Sequence, residues 1–242
     1  MREELKVVWG AGRIMMIAYN KTAKLILLAS VLLLQIAAAQ ADYYPDEKPV
    51  WGLSQDTAYL LERGKMDVNM YGWVTLGVLD NLQVGMNLPV YLMTITNINA
   101  KARIIEENQN MPQVALGLSY YRPIFYDGYY WDSTLYLSKT LTEEQHWLYG
   151  SIKLFGNSMS VPDYDFKKLE GINYTLGTVL AHDQSFRSYY EIAYDNIYSG
   201  TSSSFRCGLG FEKAWGVCRF RYGIANSGGV IIPVINFSLR SL

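Results

Sequence analysis

The chain has 242 residues, a formal net charge of −1 and a sequence pI near 6.1, and 18% of its residues are charged. This balance argues against a nucleic-acid partner, which normally requires a basic excess. Aromatic residues make up 14% of the chain, including 20 Tyr and 6 Trp, and the mean hydropathy is +0.01. Such a mixture is typical of side chains that alternate between an apolar and an aqueous environment.

The first predicted element is a cleaved N-terminal signal peptide over residues 1–41. Lysines precede an apolar core at residues 25–36, and Ala39-Gln40-Ala41 offers small residues for cleavage. The apolar core is shorter than the roughly 20 residues of a spanning helix, which disfavours an uncleaved anchor. Met15 or Met16 is an alternative start.

Residues 42–242 are predicted to form one domain. No Pro/Ser-rich linker, block of like charge or fixed-period repeat divides them.

This domain shows period-two alternation in many short segments that end at Gly, Asn, Asp or Pro, which predicts an all-β fold. In residues 113–121, for example, Val114, Leu116, Leu118 and Tyr120 share one face. A short strand over 57–61 would bring the predicted number to twelve, within a range of ten to twelve. The other predicted segments are 65–79, 81–92, 98–106, 113–121, 130–141, 145–155, 171–180, 187–198, 203–212, 215–224 and 230–240.

The alternation fits either a soluble barrel, with its apolar face inward, or a membrane barrel, with its apolar face outward. The export signal, the segment length of about 10 residues and the aromatic residues near segment ends favour an antiparallel, up-and-down transmembrane β-barrel. The aromatic residues predicted to form girdles at the membrane interfaces are Tyr71, Trp73, Tyr120, Tyr121, Tyr129, Tyr130, Trp131, Trp147, Tyr149, Tyr189, Tyr190 and Trp215.

The connections between segments also indicate such a barrel, because tight joins alternate with longer ones. Tight joins are predicted at 80–81, 108–111, 142–143 and 213–214. Longer joins are predicted at 124–129 and 156–170. The join at 181–186 should be tight by the same count.

Two segments resemble the opening hairpin of bacterial outer-membrane β-barrel proteins, many of which have no assigned function. These are residues 61–70, Leu-Glu-Arg-Gly-Lys-Met-Asp-Val-Asn-Met, and residues 79–87, Leu-Asp-Asn-Leu-Gln-Val-Gly-Met-Asn. The resemblance implies a location in the outer membrane of a Gram-negative envelope. It also implies contact with the lipid bilayer and insertion by the barrel-assembly machinery.

If the apolar face meets lipid, the opposite face lines a lumen that contains several charged side chains. A tight join at Glu212-Lys213 predicts a register that places Arg206 opposite Arg219 and Ser204 opposite Arg221. Like charges directly across strands are destabilising, so they require acidic partners, water or a bound anion. The predicted lumen charge cluster comprises Lys101, Arg103, Arg206, Arg219, Arg221, Arg240, Glu191 and Asp195. Glu191, Asp195, Asp67, Asp132 and Glu212 are the acids that could neutralise it as a polar plug.

The same register places Cys207 opposite Cys218, the only two cysteines of the chain. Opposed positions in a strand pair can reach disulfide distances, and export leads to a compartment in which disulfides form. The pair is therefore a candidate disulfide, with two unpaired cysteines as the alternative.

The leading functional hypothesis is a passive pore for small solutes, with a basic lining that favours anions. The first alternative is a non-conducting structural, assembly or binding barrel that acts through its loops, with 157–169 as the candidate surface. The second is a lipid-modifying enzyme of the outer membrane, but His146 and His182 lack a controlled catalytic geometry, so no enzyme is expected. Two Cys and two His at unrelated spacings form no metal site, and Asp163 and Asp165 are a weak Ca²⁺ candidate. No cofactor-binding motif is present.

Overall fold

The structure is a computed structural model that describes residues 48–124, 127–142, 145–159, 170–183, 185–197, 204–227 and 230–240. The predicted signal peptide over 1–41 lies outside the described residues. So do Asp163 and Asp165, together with the rest of residues 160–169. Within the described ranges, no helix has the length and hydropathy needed to cross a membrane.

The described residues form a closed, antiparallel, up-and-down barrel of twelve strands, which confirms the predicted fold class and the favoured strand number. Each strand pairs with its neighbours in sequence, and β1 pairs with β12 to close the barrel. The strands are β1 (Met66–Asn69), β2 (Trp73–Leu79), β3 (Leu82–Asn87), β4 (Ile95–Ile105), β5 (Gln113–Pro123), β6 (Gly128–Thr142), β7 (His146–Met159), β8 (Glu170–Asp183), β9 (Phe186–Ile197), β10 (Ser204–Trp215), β11 (Cys218–Ser227) and β12 (Val230–Arg240). One short helix, α1 (Leu88–Leu92), joins β3 to β4.

The apolar face of the alternating pattern lies on the outside of the barrel. In β5, Leu116, Leu118 and Tyr120 are exposed, whereas Gln113 and Ser119 are buried inside. The same division holds in β6, where Leu135 and Leu137 are exposed while polar side chains on the other parity are buried. This is the reverse of a soluble barrel and matches the arrangement of membrane barrels.

The twelve strands are not the twelve predicted segments. The predicted strand over 57–61 is wrong, and the predicted segment 65–79 contains two strands, β1 and β2. The chain turns between them because Gly72 adopts φ 77° and the Asn69 side chain accepts hydrogen bonds from the N–H groups of Tyr71 and Trp73. An Asn side chain that caps nearby backbone is a common turn signal, but here it lies inside a continuous alternating pattern that itself predicts one long strand.

The two ends of the barrel differ in their connections. The turn end carries the joins 80–81, 106–112, 143–145, 184–185 and 216–217, together with the start of β1 and the end of β12. The loop end carries the joins 70–72, 88–94, 124–127, 160–169, 198–203 and 228–229. The predicted tight joins near 80–81, 142–143 and 181–186 are short, and the predicted longer join at 156–170 corresponds to 160–169. The join predicted as tight at 108–111 is longer, at 106–112, and the join predicted as long at 124–129 is short, at 124–127.

The predicted register between β10 and β11 is wrong, because the turn lies at Gly216-Val217 and not near 213. Gly216 has φ 52°, a conformation that suits a two-residue hairpin turn. The register consequently pairs Glu212 with Arg221, so opposite charges face each other where the prediction placed like charges.

This register also separates the two cysteines. Cys207 pairs with Asn226, and Cys218 pairs with Trp215. Both cysteines are free, so the candidate disulfide is not present. Arg206 correspondingly lies opposite Ser227 and Arg219 opposite Ala214, rather than opposite each other.

Candidate functional site

The lumen is occupied at the turn end by residues 48–61, which we call the plug. The plug folds back on itself: Thr57 N–H donates to the Val50 carbonyl at 3.0 Å and Gly52 N–H donates to the Gln55 carbonyl at 2.7 Å. An isolated bridge joins Trp51 to Asp56. The plug therefore enters the lumen, reverses at residues 53–54 and returns to the turn end, where β1 begins.

The tip of the plug is held by polar side chains from three strands. Leu53 N–H donates to Tyr149 Oη at 3.1 Å, and Arg221 Nη1 donates to the Gly52 carbonyl at 2.5 Å. The backbone N–H of Ser54 donates to Glu191 Oε2 at 3.2 Å, and the Ser54 hydroxyl donates to the other carboxylate oxygen. These contacts fix the tip without any strand pairing between the plug and the wall.

The middle of the plug contains a buried ion pair with the wall. Lys101 Nζ lies 3.4 Å from Asp56 Oδ2 and donates to the Thr57 carbonyl at 3.2 Å. Lys101 is 1% exposed. Beside it, Gln113 Nε2 donates to the Ala58 carbonyl at 2.7 Å and Ala58 N–H donates to Ser138 Oγ at 2.8 Å. A buried charge that loses its partner is costly, so this pair fixes the position of the plug.

At the turn end the plug is tethered through Glu107. The Glu107 carboxylate accepts hydrogen bonds from Lys48 Nζ at 2.8 Å, Tyr59 Oη at 3.1 Å and Thr140 N–H at 2.5 Å. Burial raises the pKa of Glu107, but the hydrogen bonds from Lys48 and Thr140 hold the pKa below its usual range. Glu107 lies in the join between β4 and β5, so the tether fastens both ends of the plug to the rim.

Apolar packing completes the seat of the plug. Leu53 and Tyr59 belong to a buried cluster inside the lumen whose other members are Trp147, Tyr149, Val179 and Tyr189. Gly208 and Gly210 make room for Leu53, since a Cβ atom at Gly208 would lie 2.7 Å from Leu53 Cδ2 and one at Gly210 would be closer still. The main hydrophobic core of the barrel thus lies in its lumen, between plug and wall.

A basic cluster surrounds Glu212 on the inner face next to the plug tip. Arg221 Nη2 donates to Glu212 Oε2 at 2.5 Å, and nitrogens of Arg219 and Arg187 lie 3.6 and 3.9 Å from Oε1. The guanidinium of Arg221 also lies 4.6 Å from the centre of the Tyr189 ring. Sequence reasoning placed Glu212 at the turn and missed Arg187, because the register error displaced this part of the wall.

The other members of the predicted lumen charge cluster lie at separate places. Arg206 Nε binds Asp195 at 2.9 Å, Arg240 Nε binds Asp67 at 3.1 Å, and Arg103 Nη1 binds Glu106 at 3.1 Å. Lys101 binds the plug, and Glu191 accepts hydrogen bonds from Ser54 and Tyr149. The predicted residues therefore line one lumen but do not form one cluster.

Half of the aromatic residues predicted as girdles point into the lumen. Trp73, Tyr121 and Tyr130 form an inner cluster near the loop end. The ring centres of Trp73 and Tyr121 are 6.2 Å apart, and those of Tyr121 and Tyr130 are 5.4 Å apart. Trp147, Tyr149 and Tyr189 lie in the core around the plug. The remaining predicted girdle residues are exposed: Tyr71, Tyr120, Tyr129, Trp131, Tyr190 and Trp215. The prediction was wrong for the inner six because aromatic residues occupy both parities of the strands.

The lumen keeps open space on both sides of the plug. Toward the loop end, a cavity of about 410 Å³ is lined by plug residues 51–56 and by wall residues that include Trp73, Asn99, Lys153 and Arg221. At the turn end, a second cavity of about 480 Å³ lies beside Tyr59, Asp80 and Glu107. The plug separates the two cavities, so it stands where a continuous passage would run.

The two histidines lie at the turn end, each beside a hydroxyl group. His146 Nε2 is 2.7 Å from Thr178 Oγ1, and His182 Nε2 is 2.8 Å from Ser188 Oγ. Ser188 is 1% exposed, so its hydroxyl is covered by neighbouring side chains.

No family model matches the chain, and no curated protein matches its sequence. Among solved structures, the barrel is similar to a KdgM porin in complex with disordered oligogalacturonate, with a TM-score of 0.49 and 10% identity over 74% of this chain and 96% of that chain. It is also similar to a second KdgM porin structure, with a TM-score of 0.43 and 10% identity over 73% of this chain and 96% of that chain.

Proposed function

We propose that this protein is an outer-membrane channel for small solutes and that the plug closes its lumen in the state described here. The observation that carries this proposal is a closed barrel with an apolar outside and a polar, charged lumen. Two cavities within that lumen are separated by a segment that belongs to none of the twelve strands.

The outer surface supports placement in a membrane. Exposed Leu, Ile and Tyr side chains alternate with buried polar ones along the long strands, as lipid contact requires. Aromatic rings gather on the outer face near the turn end, where Phe186 stacks on Phe211 at 5.6 Å and Phe211 lies 5.7 Å from Tyr222. Near the loop end, Tyr120 and Tyr129 stack at 6.2 Å. Such rings at both ends of an apolar band are typical of membrane interfaces.

The plug is suited to leave the lumen without opening the wall. Its polar contacts with the wall use wall side chains, whereas the twelve strands are joined by their own backbone ladder. Displacing the plug therefore breaks a limited set of side-chain contacts and leaves the barrel closed. The two cavities would then join into one passage.

The proposed solutes are small and preferentially anionic. Lys101, Arg187, Arg219 and Arg221 lie on the inner face at the level of the plug. The Glu212 carboxylate lies 2.5 Å from Arg221, 3.6 Å from Arg219 and 3.9 Å from Arg187. Basic side chains that line a narrow channel attract anions, particularly where the dielectric constant is low. The proposed function is passive diffusion, and we assign no catalytic step to the chain.

The test is single-channel conductance in a planar bilayer, with heat-modifiable gel mobility to confirm that a barrel has formed. A variant lacking residues 48–61 should show discrete conductance steps far more often than the intact protein. The matched control is Arg103→Gln, which alters a lumen cation that pairs with Glu106 and not with the plug; its conductance should equal that of the intact protein. A folded deletion variant without conductance would contradict the channel and favour a non-conducting binding or structural barrel.

Ion selectivity tests the solute class separately. In the plug-deleted barrel, replacing Arg206 and Arg219 with Gln should shift the reversal potential in a salt gradient toward cation preference, because two inward cations are removed. Unchanged selectivity would remove the role of these arginines while leaving the channel itself intact.

A further inference from the structure

The wall of the barrel is uneven around its circumference. Strands β1, β2 and β3 have 4, 7 and 6 residues, whereas β4 to β12 have 10 to 15. The turn at 70–72 and the helix α1 follow directly at the loop-end side of these short strands. The wall is therefore shorter on this side, toward the loop end, and we call β1, β2 and β3 the low wall.

The long strand next to this low wall keeps an unpaired edge. β1 pairs with β12 only from Asn69 opposite Ser238 to Asp67 opposite Arg240. Just above, Met70 N–H donates to the Phe237 carbonyl and the Tyr71 hydroxyl donates to the Ile235 carbonyl. In the described part of the chain, no strand pairs with this side of residues 230–237.

The unpaired edge is a poor site for another strand. Residues of one parity in a strand direct both backbone groups to the same side, so Pro233 shares the side used by the carbonyls of Ile235 and Phe237. Proline has no N–H to donate, and it is the residue that natural sheets place on edges that remain unpaired. A partner strand would meet this gap in the middle of the edge, which disfavours β-augmentation.

The loop-end cavity reaches this opening. Its lining includes Tyr71 and Trp73 from the low wall and Val234, Ile235 and Asn236 from the unpaired edge. The same cavity extends inward to polar and charged groups: Asn69, Asn99, Asp56, Lys153 and Arg221. One continuous cavity therefore joins the polar lumen to the apolar outer surface.

We propose that this lateral opening binds a single-chain amphiphile with an anionic head group, which enters from the membrane. The inference rests on the membrane placement argued above, but it does not require that the lumen conduct. The head group would lie in the cavity and the chain would leave past Ile235 and Tyr71. Open strand edges do not occur facing lipid, because hydrocarbon offers no hydrogen bonds. Polar atoms of a bound head group, or water around it, would satisfy the exposed backbone groups.

The charges of the cavity select the head group. Lys153 and Arg221 are cations on its lining, and Asp56 is the carboxylate. Asp56 is already paired with Lys101, and Arg221 is already paired with Glu212. Lys153 Nζ lies 3.9 Å from the Asp132 carboxylate, which is beyond direct hydrogen-bond distance. Lys153 is therefore placed to donate to an anionic head group.

Fluorescence quenching in lipid nanodiscs tests the proposal with brominated dodecanoate as the probe. Two single-tryptophan variants are compared, with the other tryptophans replaced by Phe. One retains Trp73, which points into the lumen at the opening. The other retains Trp131, which is 38% exposed on the outer face of β6 and reports ordinary lipid contact.

We expect quenching of Trp73 to saturate at a low probe fraction, while quenching of Trp131 rises in proportion to the probe. In the Trp73 variant, Asn236→Phe should abolish saturation by filling the cavity, whereas Ile224→Phe on the outer face of β11 should not. Lys153→Gln should weaken the apparent affinity about tenfold, the value of one charge-assisted hydrogen bond. Gel mobility confirms that each variant forms a barrel.

Three results would overturn the proposal: Trp73 that is not quenched while Trp131 is, Trp73 quenching that rises in proportion like that of Trp131, or saturation that survives Asn236→Phe. Failure of Trp131 to be quenched would instead refute the membrane placement. A barrel that binds the probe at Trp73 but never conducts would support this inference and contradict the proposed channel.

Discussion

The two halves of the lumen are built from the same alternating pattern but differ in what their inward side chains contact. At the turn end, Lys101, Tyr149 and Glu191 bind the plug. Toward the loop end, Trp73, Asn99 and Lys153 line an open cavity. Inward parity therefore determines only that a side chain faces the lumen and not the lipid. Whether it serves packing or solute contact depends on where residues 48–61 lie.

Displacement of the plug can be measured at Ala58, which is 0% exposed. In a background where Cys207 and Cys218 are replaced by Ser, Ala58→Cys should react with maleimide only when the plug leaves the lumen. The labelling rate then reports the free energy of opening. The following predictions use this rate and run from the largest expected effect to the smallest.

Lys101→Met should have the largest effect because it removes the buried cation and leaves the Asp56 carboxylate, only 16% exposed, without its partner. Removing one partner of a buried pair costs about 3–5 kcal/mol, so labelling should accelerate by about two to four orders of magnitude. Arg103→Met is the control, because its ion pair with Glu106 is exposed and worth less than about 1 kcal/mol. Equal rates for the two variants would show that the pair does not hold the plug.

Leu53→Ala should loosen the plug by about 2–5 kcal/mol, because it removes a side chain from the buried lumen cluster. The control is Leu209→Ala, which shortens an exposed side chain on the outer face of β10, between Gly208 and Gly210. It should leave labelling unchanged. If Leu209→Ala accelerated labelling as strongly as Leu53→Ala, the effect would reflect the barrel as a whole and not the plug.

Gly208→Ala should loosen the plug by about 1–3 kcal/mol, because the new Cβ atom would press on Leu53. Since the contact is with the end of a side chain, adding Leu53→Ala should relieve the clash. We therefore expect the double variant to label less than additively. Additive rates would place the strain of Gly208→Ala in the wall.

Acidification should weaken the tether at Glu107 by less than about 1 kcal/mol, because its partner Lys48 is about half exposed to solvent. The folded-state pKa of Glu107 is lowered below its ordinary value of 4.5, so its contribution is present above pH 4.5 and is lost as the pH falls through the lowered pKa. Labelling should therefore rise modestly below pH 4.5 after correction for thiol reactivity. Glu107→Gln should remove this dependence, and a variant that kept it would assign the effect to another group.

The sequence was sufficient for the fold class, because alternation with period two and the residues that interrupt it are local properties. Leu116 and Leu118 on one face and Gln113 and Ser119 on the other are read correctly without a structure. The β10–β11 register was not, since Gly216, three residues after the charged pair Glu212-Lys213, offered a second turn position. The opposite charges of Glu212 and Arg221 would have favoured the observed one.

A barrel of about twelve strands, with one apolar and one polar face, follows from the sequence alone. The contents of that barrel become apparent only from its three-dimensional structure. Residues 48–61 were read partly as a strand because Tyr59, Leu60 and Leu61 have apolar side chains that a strand would also carry. The plug is held by strands distant in the chain: β4 contacts Thr57, β6 contacts Ala58 and β7 contacts Leu53. Local sequence patterns do not predict such contacts, because these contacts form only after the barrel has closed around the plug.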